Sequence, residues 1–320
     1  MPDSQPQRLT EPLPITEHQW PDNVKPLVSI RCITYNHAPF IEQCIKGFLM
    51  QKTTFPVEII IHDDASDDGT ADIVRGYIDK YPRLIKGVLQ PENLRSQGIP
   101  WGRFVVPLLR GDYIAVCEGD DYWIDPLKLQ TQVIFLEENP DYVISGHDVV
   151  EVDENDDKLK DRGMYQLRRR DHSREELIRN EAWLFPLTWV YRNIPVPKAP
   201  ERRRVINGDV FFLSLIGHFG KAKFHHDILP AAYRRHAGGI WSLVPEDQRV
   251  GLAANTWFWL HRYYARVGEG QYANYYRDRY VHAVLGSMPS SKIVKELLRR
   301  IPYLERVRRQ IRKALRAVKT

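Results

Sequence analysis

The sequence of 320 residues has little cysteine and no long apolar segment. Its three cysteines (Cys32, Cys44 and Cys117) show no paired or C-x-x-C spacing. This excludes a disulfide framework or a zinc ribbon and favours a reducing cytosol. No stretch approaches the about 18–20 apolar residues of a spanning helix, and the Pro-rich N-terminus is not a signal peptide. We therefore expect a cytoplasmic protein, either soluble or peripheral on the inner face of the cell membrane.

Two phosphate-binding fingerprints are also absent. No G-x-G-x-x-G follows the first predicted strand, which excludes the usual dinucleotide motif. Leu215 stands where a P-loop ending in Gly220-Lys221 would have its first glycine. Phosphates would therefore have to be held by a metal ion and side chains.

Positive charge is scarce outside the last thirty residues. The net charge is +5, and residues 291–320 hold eleven Lys/Arg and two Glu, a local charge of +9. The rest of the chain therefore carries 5 − 9 = −4. A nucleic-acid-binding domain would carry its basic patch on the folded body, so nucleic acid is not an expected partner.

Short apolar runs alternate with amphipathic helical patterns along the first half of the chain. This alternation predicts a mostly parallel, Rossmann-like α/β sheet with helices on both faces. The predicted strands are 27–33, 57–61, 84–89, 112–117, 142–152 and 223–229. The predicted helices are 40–50, 71–81, 104–109, 126–138, 210–216 and 246–285, and 185–191 is a further apolar run.

Polar side chains stand where three of these strands end, at Thr34–Asn36, Asp63–Asp64 and Glu118–Asp121. Ligands of open α/β sheets bind outside the carboxyl ends of the strands, so we expect these groups to share one rim. The run Cys117–Asp125 (C-E-G-D-D-Y-W-I-D) is the most acidic of them. Close carboxylates repel one another, and a bound divalent cation is the usual remedy. The alternative is a solvated turn that caps the helix beginning near Asp125-Pro126.

Taken together, these segments resemble glycosyltransferase family 2 over about residues 26–242. The resemblance implies a GT-A fold, a nucleotide-sugar donor, a Mn²⁺ or Mg²⁺ cofactor and inversion at the anomeric carbon. The motifs that carry it are Thr34-Tyr35-Asn36, Asp63-Asp64, Asp67-Asp68-Gly69-Thr70, Glu118-Gly119-Asp120-Asp121, Asp125-Pro126, Lys128-Leu129, Gly208-Asp209, Tyr233-Arg234, His236 and Gly238-Gly239.

The resemblance assigns the donor site. It implies that Thr34, Tyr35 and Asn36 line the base and ribose, and that Asp63 or Asp64 reads the base. It also places Asp121 in the diphosphate and metal region, together with Glu118 and Asp120.

The D-x-D position reads Glu118-Gly119-Asp120 here. The resemblance implies that Asp120 binds the metal directly, whereas glutamate at the first position departs from the pattern. His236 resembles a C-terminal ligand of the metal or the diphosphate, and its alternative is a structural loop histidine.

Asp209 matches the position of the catalytic base. The acceptor hydroxyl has a pKa far above 7, so a carboxylate must take its proton during attack. The alternative is a helix N-cap before the apolar segment 210–216.

Several aromatic residues and one arginine near the motifs are candidate ligand contacts or core residues. Trp123 can stack on a sugar face or fill the core. Tyr233, Arg234 and Trp241 are candidate contacts of the sugar or the acceptor. The aromatic residues between 246 and 285 are predicted to pack in the core.

Four segments follow from these patterns: an extended or disordered lead (1–26), the GT-A domain (27–242), an aromatic-rich helical extension (243–290) and a basic amphipathic tail (291–320). The tail can lie on an anionic membrane surface or pack on the enzyme. The first reading would make a lipid-linked or membrane-assembled glycan the acceptor.

The resulting prediction is a metal-dependent, inverting hexosyltransferase of bacterial cell-surface polysaccharide biosynthesis. The Q-x-x-R-W element of processive polymerases is missing, so one sugar is expected per encounter. The alternatives are a nucleotidyltransferase acting on a sugar phosphate and a non-catalytic nucleotide- or glycan-binding protein.

Overall fold

The computed structural model describes residues 8–159, 168–205, 207–239 and 244–286. The chain divides into two compact units. The first comprises Met1–Ala199 and Gly208–Leu243, and the second comprises Pro200–Asn207 and Val244–Thr320.

A seven-stranded sheet forms the centre of the first unit, with strand order β10-β7-β9-β6-β2-β4-β5. All of its neighbouring strands run parallel except β9, which is antiparallel to both β6 and β7. The mostly parallel sheet predicted from the sequence is confirmed. The strands of the first unit are β1 (Leu13–Pro14), β2 (Val28–Thr34), β3 (Lys52–Thr53), β4 (Val57–Asp63), β5 (Ile85–Leu89), β6 (Tyr113–Val116), β7 (Tyr142–His147), β8 (Val149–Val152), β9 (Val190–Arg192), β10 (Lys221–His225) and β11 (Ala231–Arg234).

Helices of this unit follow the strands, as the alternating pattern predicts. They are α1 (Ile41–Leu49), α2 (Thr70–Lys80), α3 (Gly102–Val105), α4 (Lys128–Glu138), α5 (Arg174–Ile178) and α6 (Gly208–Ile216). Helix α1 buries Ile41, Cys44, Ile45 and Phe48 on one face. Helix α2 begins after Gly69, whose φ of 99° is left-handed and suits glycine.

The two central strands are apolar because both faces of the sheet are covered. Every residue of β4 is buried, and β2 is buried at all but two positions. Near-continuous apolar runs of this kind are typical of parallel strands with helices on both sides. The three cysteines lie buried and free in this core.

Two stretches of chain differ from the sequence prediction. The run 142–152 is two strands rather than one, because the chain leaves the central sheet at Asp148 and β8 pairs with β11 in a separate two-stranded sheet. The run 185–191 contains a short 3-10 helix (Pro186–Thr188), and β9 then inserts between β6 and β7.

The described part of the N-terminal lead packs on the rest of the first unit and contains a short 3-10 helix (Ile15–Glu17). Strand β1 pairs with β3, and Leu9 N donates to Thr54 O at 2.7 Å. Ile15 is 3% exposed, because it enters the main hydrophobic core.

The second unit contains a helical pair, α7 (Glu246–Arg266) and α8 (Gly270–Gly286). Tyr264 and Tyr276 are fully buried and stack with their ring centroids 5.7 Å apart. For these two tyrosines the predicted core role is confirmed. Among the described residues, no helix is long and apolar enough to cross a membrane. The basic tail 291–320 lies outside the described residues.

Candidate active site

The ends of β2, β4 and β6 bring the predicted site residues to one rim of the sheet. Thr34 is paired with Asp63 in register, and Asp64 N donates to Thr34 O at 3.1 Å. On the other side of β2, Gly119 N donates to Ile33 O at 3.0 Å. The acidic segment therefore runs directly beside the end of β2.

Three side chains on this rim converge as candidate metal ligands: His37, Asp120 and His236. One ligand atom from each lies within 4.8 Å of the others. Asp120 Oδ2 is 3.1 Å from His236 Nε2 and 3.7 Å from His37 Nε2. Two imidazole nitrogens and one carboxylate oxygen form a donor set that divalent first-row metals accept. We call these three residues the His-Asp-His cluster.

The protonation of this cluster suits a metal. Burial alone would raise the pKa of Asp120, but the hydrogen bond with His236 and the charge of His37 outweigh it and lower that pKa. Burial lowers the pKa of His37, although Asp120 opposes that shift. An ionised carboxylate beside a neutral imidazole is the state in which both groups can bind a cation.

His37 is a site residue that sequence reasoning missed. It follows Thr34, Tyr35 and Asn36 in the polar break after β2, but no ligand spacing links it to Asp120 or His236. Its ring lies 5.8 Å from that of His236, at 84° to it. The signal that could have found it is the length of the polar break, which reaches one residue past Asn36.

Gly119 allows the acidic segment to approach β2. A Cβ at this position would lie 2.6 Å from Thr34 Oγ1 and 3.0 Å from His37 Nδ1. Thr34 is 1% exposed and lies beneath this glycine. The glycine of the Glu-Gly-Asp motif is thus required by close packing.

Asn36 and Asp63 tie together the two loops that follow β2 and β4. Asn36 has a left-handed φ of 54°, and its Oδ1 accepts from Asp67 N at 3.1 Å. The carboxylate of Asp63 accepts from Ser66 N at 3.0 Å and from Ser66 Oγ at 2.5 Å. Both side chains therefore order the backbone on the side predicted to hold the nucleotide.

Asp64 orders the backbone of the loop that follows β5. It is 7% exposed, and it accepts from Leu94 N at 2.9 Å and from Arg95 N at 3.1 Å. Tyr35 is 45% exposed, so its ring is open to a ligand. Direct contacts of Tyr35, Asp63 and Asp64 with a base remain predictions.

Glu118 lies apart from the His-Asp-His cluster and is paired with Arg31 Nη2 at 3.0 Å. The guanidinium of Arg31 also stacks on Trp101, 4.4 Å from the ring centroid. Burial raises the pKa of Glu118, Arg31 opposes this, and the charges of Asp120 and Asp209 raise it further. The glutamate that stands in place of aspartate at this position thus has Arg31 as its ion-pair partner.

Asp209, the predicted base, is the second residue of α6 and is half-buried. Its charge acts on Glu118, which places it within electrostatic reach of the acidic segment. Its role as the base remains a prediction.

Asp121 and Arg234 hold the acidic segment in place. Asp121 is 5% exposed, and its Oδ1 accepts from Arg234 N at 2.9 Å. Burial raises the pKa of Asp121 well above its usual range, and the charge of Asp120 adds to the effect. Arg234 Nε donates to Asp120 O at 3.0 Å, and its Nη2 lies 2.9 Å from Asp156 Oδ1.

Two residues considered as sugar or acceptor contacts, Arg234 and Trp123, have buried side chains. The side chain of Arg234 is 1% exposed, because its guanidinium group binds the acidic segment and Asp156. Trp123 is also 1% exposed, donates from Nε1 to Leu187 O at 2.7 Å and packs on Phe48. The core alternative for Trp123 is therefore correct.

Tyr233 and Trp241 are the two remaining aromatic candidates. Tyr233 is half-buried and packs against Phe185, with ring centroids 5.6 Å apart. Its contact with a sugar or acceptor stays a prediction. Trp241 lies outside the described residues.

A sequence profile of glycosyl transferase family 2 matches residues 29–188. These residues carry β2 to β8 and the acidic segment, and they make up half of the chain. The chain belongs to glycosyl transferase family 2, and the resemblance drawn from its motifs is confirmed.

The chain is also similar in sequence to individual proteins. The chain is 35% identical over 234 residues to an uncharacterized protein of Mycobacterium tuberculosis, covering 69% of this chain and 62% of that protein. It is also 35% identical over 116 residues to TuaG of Bacillus subtilis, provisionally named a teichuronic acid biosynthesis glycosyltransferase. That match covers 36% of this chain and 44% of TuaG.

Solved structures share the fold at low sequence identity. TarS of S. aureus, solved with UDP-GlcNAc, aligns with a TM-score of 0.55 at 18% identity over 79% of this chain and 72% of TarS 1-349. The mannosyltransferase PcManGT of Pyrobaculum calidifontis, solved with GDP-Man and Mn²⁺, aligns with a TM-score of 0.52 at 17% identity over 95% and 91% of the two chains. The fold is GT-A, as predicted.

Proposed function

We propose that this protein is a metal-dependent, inverting and non-processive hexosyltransferase. It moves a sugar from a nucleotide-diphosphate donor to a hydroxyl of a glycan or lipid-linked acceptor. The observation that carries the proposal is the His-Asp-His cluster, which lies at the carboxyl rim of the sheet where ligands of this architecture bind.

The cluster is the proposed position of Mn²⁺ or Mg²⁺, with Asp120 as the anionic ligand. A cation there would neutralise negative charge on the departing diphosphate without a proton transfer. Two histidines favour Mn²⁺, since Mg²⁺ prefers oxygen ligands and retains water. Arg234 and Asp121 position Asp120 by fixing the backbone on either side of it.

Asp209 is the proposed base. The acceptor hydroxyl oxygen attacks the anomeric carbon as the bond to the diphosphate oxygen breaks, and a carboxylate oxygen of Asp209 takes the hydroxyl proton. Such a base contributes typically about 10²–10⁴-fold to the rate. Tyr35, Asn36, Asp63 and Asp64 form the proposed nucleotide side, with the exposed Tyr35 ring as the contact surface.

The biological setting is proposed as bacterial cell-surface polysaccharide synthesis at the inner face of the cell membrane. The name of TuaG supports it, and so does the basic tail 291–320, which suits an anionic surface. The alternatives, a nucleotidyltransferase acting on a sugar phosphate or a non-catalytic binding protein, lose support because the relatives named for an activity are glycosyltransferases.

Asp209→Asn separates an enzyme from a binding protein. Nucleotide release from UDP- and GDP-sugars is measured with Mn²⁺ and a mixture of bacterial glycan acceptors, beside donor affinity by calorimetry. We expect donor affinity within about twofold of the parent and turnover reduced by about 10²-fold or more. Turnover at the parent rate would contradict the assignment of the base.

A further inference from the structure

A small pocket with a cavity of about 20 Å³ lies at the end of β7, on the same rim of the sheet as the His-Asp-His cluster. Its lining combines basic side chains (His147, Arg168 and Arg169) with the aromatic rings of Trp183 and Phe185. None of these residues belongs to the site predicted from the sequence. We call this the β7 pocket.

His147 is a buried polar group that the fold leaves unsatisfied. Its side chain lines the pocket and is 2% exposed, and neither ring nitrogen has a partner of normal hydrogen-bond geometry among the described residues. The backbone of Asp148 makes at most a weak hydrogen bond to the ring. An unpaired buried polar group costs about 1–3 kcal/mol, so a ligand oxygen in the pocket would recover that cost.

Further basic groups lie behind His147. Lys128 is fully buried, and its Nζ donates to the amide oxygen of Gln132 at 2.7 Å. Burial lowers its pKa to about 7. Burial, followed by the charges of Lys128 and His225, lowers the pKa of His147 well below its usual range. The charge of Lys128 thus adds to burial in disfavouring a proton on His147, and a bound anion would oppose this effect.

The outer wall of the pocket is also basic. Arg169 Nη2 pairs with Asp148 Oδ2 at 3.0 Å, while Arg169 Nε is buried without a partner among the described residues. Arg168 is exposed beside it. Among the described residues that line the pocket there are two guanidinium groups and one carboxylate, and guanidinium groups bind phosphate and carboxylate in a bidentate manner.

An aromatic contact connects the β7 pocket to the proposed reaction site. Phe185 lines the pocket and packs against Tyr233, and the charges of Asp121 and Asp120 act on the Tyr233 hydroxyl. Phe185 and Tyr233 thus lie between a molecule in this pocket and the acidic segment.

We propose that the β7 pocket binds an anionic group of the acceptor, a phosphate monoester or a carboxylate, with one anionic oxygen in the cavity between Arg169 and His147 and the rest of the group at its mouth. The acceptor is then an acidic or phosphorylated sugar whose apolar face packs on Trp183 and Phe185. This inference rests on the proposed function, since it names the acceptor class for that reaction. Nothing in it depends on which nucleotide sugar is the donor.

The test uses the full-length protein labelled with ¹⁵N-histidine, with the His147 signals assigned through His147→Gln. Glycerol 1-phosphate, glucuronate and neutral glucose are titrated separately, without metal. We expect saturable shifts of the His147 signals with one or both anions and none with glucose. The anion that binds more tightly distinguishes phosphate from carboxylate.

Two matched variants test the wall of the pocket. Arg169→Gln should weaken anion binding by about tenfold or more, the loss expected for a charge-assisted hydrogen bond. Arg170→Gln is the control, because Arg170 pairs with Glu176 and does not line the pocket. Unmoved His147 signals with both anions, or equal weakening in the two variants, would overturn the proposal.

The same samples separate this inference from the proposed function. Mg²⁺ with UDP- or GDP-sugars is added, and the His37 and His236 signals are followed. If these signals shift while the His147 signals stay unchanged with both anions, the inference on the acceptor is wrong and the proposed function is retained. If His147 responds to an anion while no donor affects His37 or His236, the proposed function fails, and with it the acceptor role of the pocket.

Discussion

Asp120 is the residue on which two histidines from distant parts of the chain converge. The convergence depends on Gly119, whose missing side chain lets the acidic segment lie against Thr34 and His37. It depends equally on Arg234, which binds the backbone of Asp120 from the opposite side. A single carboxylate is thus positioned by a close approach on one side and a buried guanidinium on the other.

Gly119→Ala should disturb this approach. The new methyl group would lie 2.6 Å from Thr34 Oγ1, so the segment must shift, and we expect a loss of about 1–3 kcal/mol in the free energy of unfolding. Urea unfolding measures it, with Gly76→Ala as the control. No atom lies within 4 Å of a Cβ built on Gly76 in α2, so that variant should be neutral or gain up to about 1 kcal/mol. Equal stability of the two variants would contradict the packing role.

Lys128→Met tests the buried ammonium through the pH dependence of stability. An unfolded lysine keeps its proton to about pH 10.4, whereas folded Lys128 has a pKa of about 7. Between these values the unfolded chain binds more protons, so this group makes the parent more stable as pH rises. The stability of Lys128→Met relative to the parent should therefore fall between pH 7 and pH 10, by at most about 1.4 kcal/mol per pH unit.

Urea unfolding at pH 7, 8 and 9 measures this difference. Lys46→Met is the control, because the Lys46 side chain is 63% exposed on α1 and should give a pH-independent difference. A flat difference for Lys128→Met would show that the ammonium is not desolvated in the folded state.

Among the elements, β11 couples the C-terminal part of the first unit to the acidic segment. It pairs with β8, bridges to Tyr122 through Ala232, and ends at Arg234 two residues before His236. The candidate ligand His236 is thus brought to Asp120 by the same strand that carries the arginine supporting Asp120.

Arg234→Met should weaken Mn²⁺ binding by about tenfold or more, although Arg234 is not a ligand, because it leaves Asp120 unsupported. Arg235→Met is the matched control, since the Arg235 guanidinium pairs with Glu151 on β8. Calorimetric titration with Mn²⁺ compares the two variants with the parent. The positioning role would be refuted by equal affinities in Arg234→Met and the parent.

The sequence predicted those elements whose apolar pattern is local. Strands β2, β4, β5 and β6 and helices α1, α2 and α4 follow from short runs bounded by polar breaks, and their parallel order follows from the alternation. The position of β9 could not be predicted, because a three-residue strand is placed by its neighbours rather than by its own pattern. The split of 142–152 at Asp148 is likewise set by pairing with β11.

The site was predictable where a motif carried it and not where packing decided it. Asp120 and His236 were expected to be metal ligands, and the structure brings them together. His37 was missed because a lone histidine in a loop has no spacing signal. The motif around the site makes Arg234 a candidate ligand contact and leaves both a ligand and a core role open for Trp123, whereas their buried hydrogen bonds can be seen only in three dimensions.

At the scale of the whole molecule, charge is divided between an acidic remainder and a basic tail. Residues 291–320 carry +9 and the rest of the chain −4. A basic amphipathic tail binds anionic membranes through apolar burial and electrostatic attraction. This arrangement would hold the enzyme near a membrane-assembled acceptor.

Deletion of 291–320 should abolish sedimentation of the protein with phosphatidylglycerol vesicles. The parent should sediment with these vesicles at low salt, release at high salt and ignore phosphatidylcholine vesicles, since the attraction is electrostatic. A deletion variant that still sediments with anionic vesicles would refute a membrane role of the tail.

The metal dependence of donor binding tests the central claim most directly. UDP- and GDP-sugars are titrated into the parent, His37→Gln and the control His226→Gln, each with Mn²⁺ and with EDTA. His226 is exposed outside the His-Asp-His cluster, so its variant should behave as the parent. We predict that one donor binds the parent only with Mn²⁺, and that His37→Gln loses about tenfold or more of this affinity. Donor binding that is equally tight in EDTA, or unchanged in His37→Gln, would contradict a metal-dependent transferase centred on Asp120.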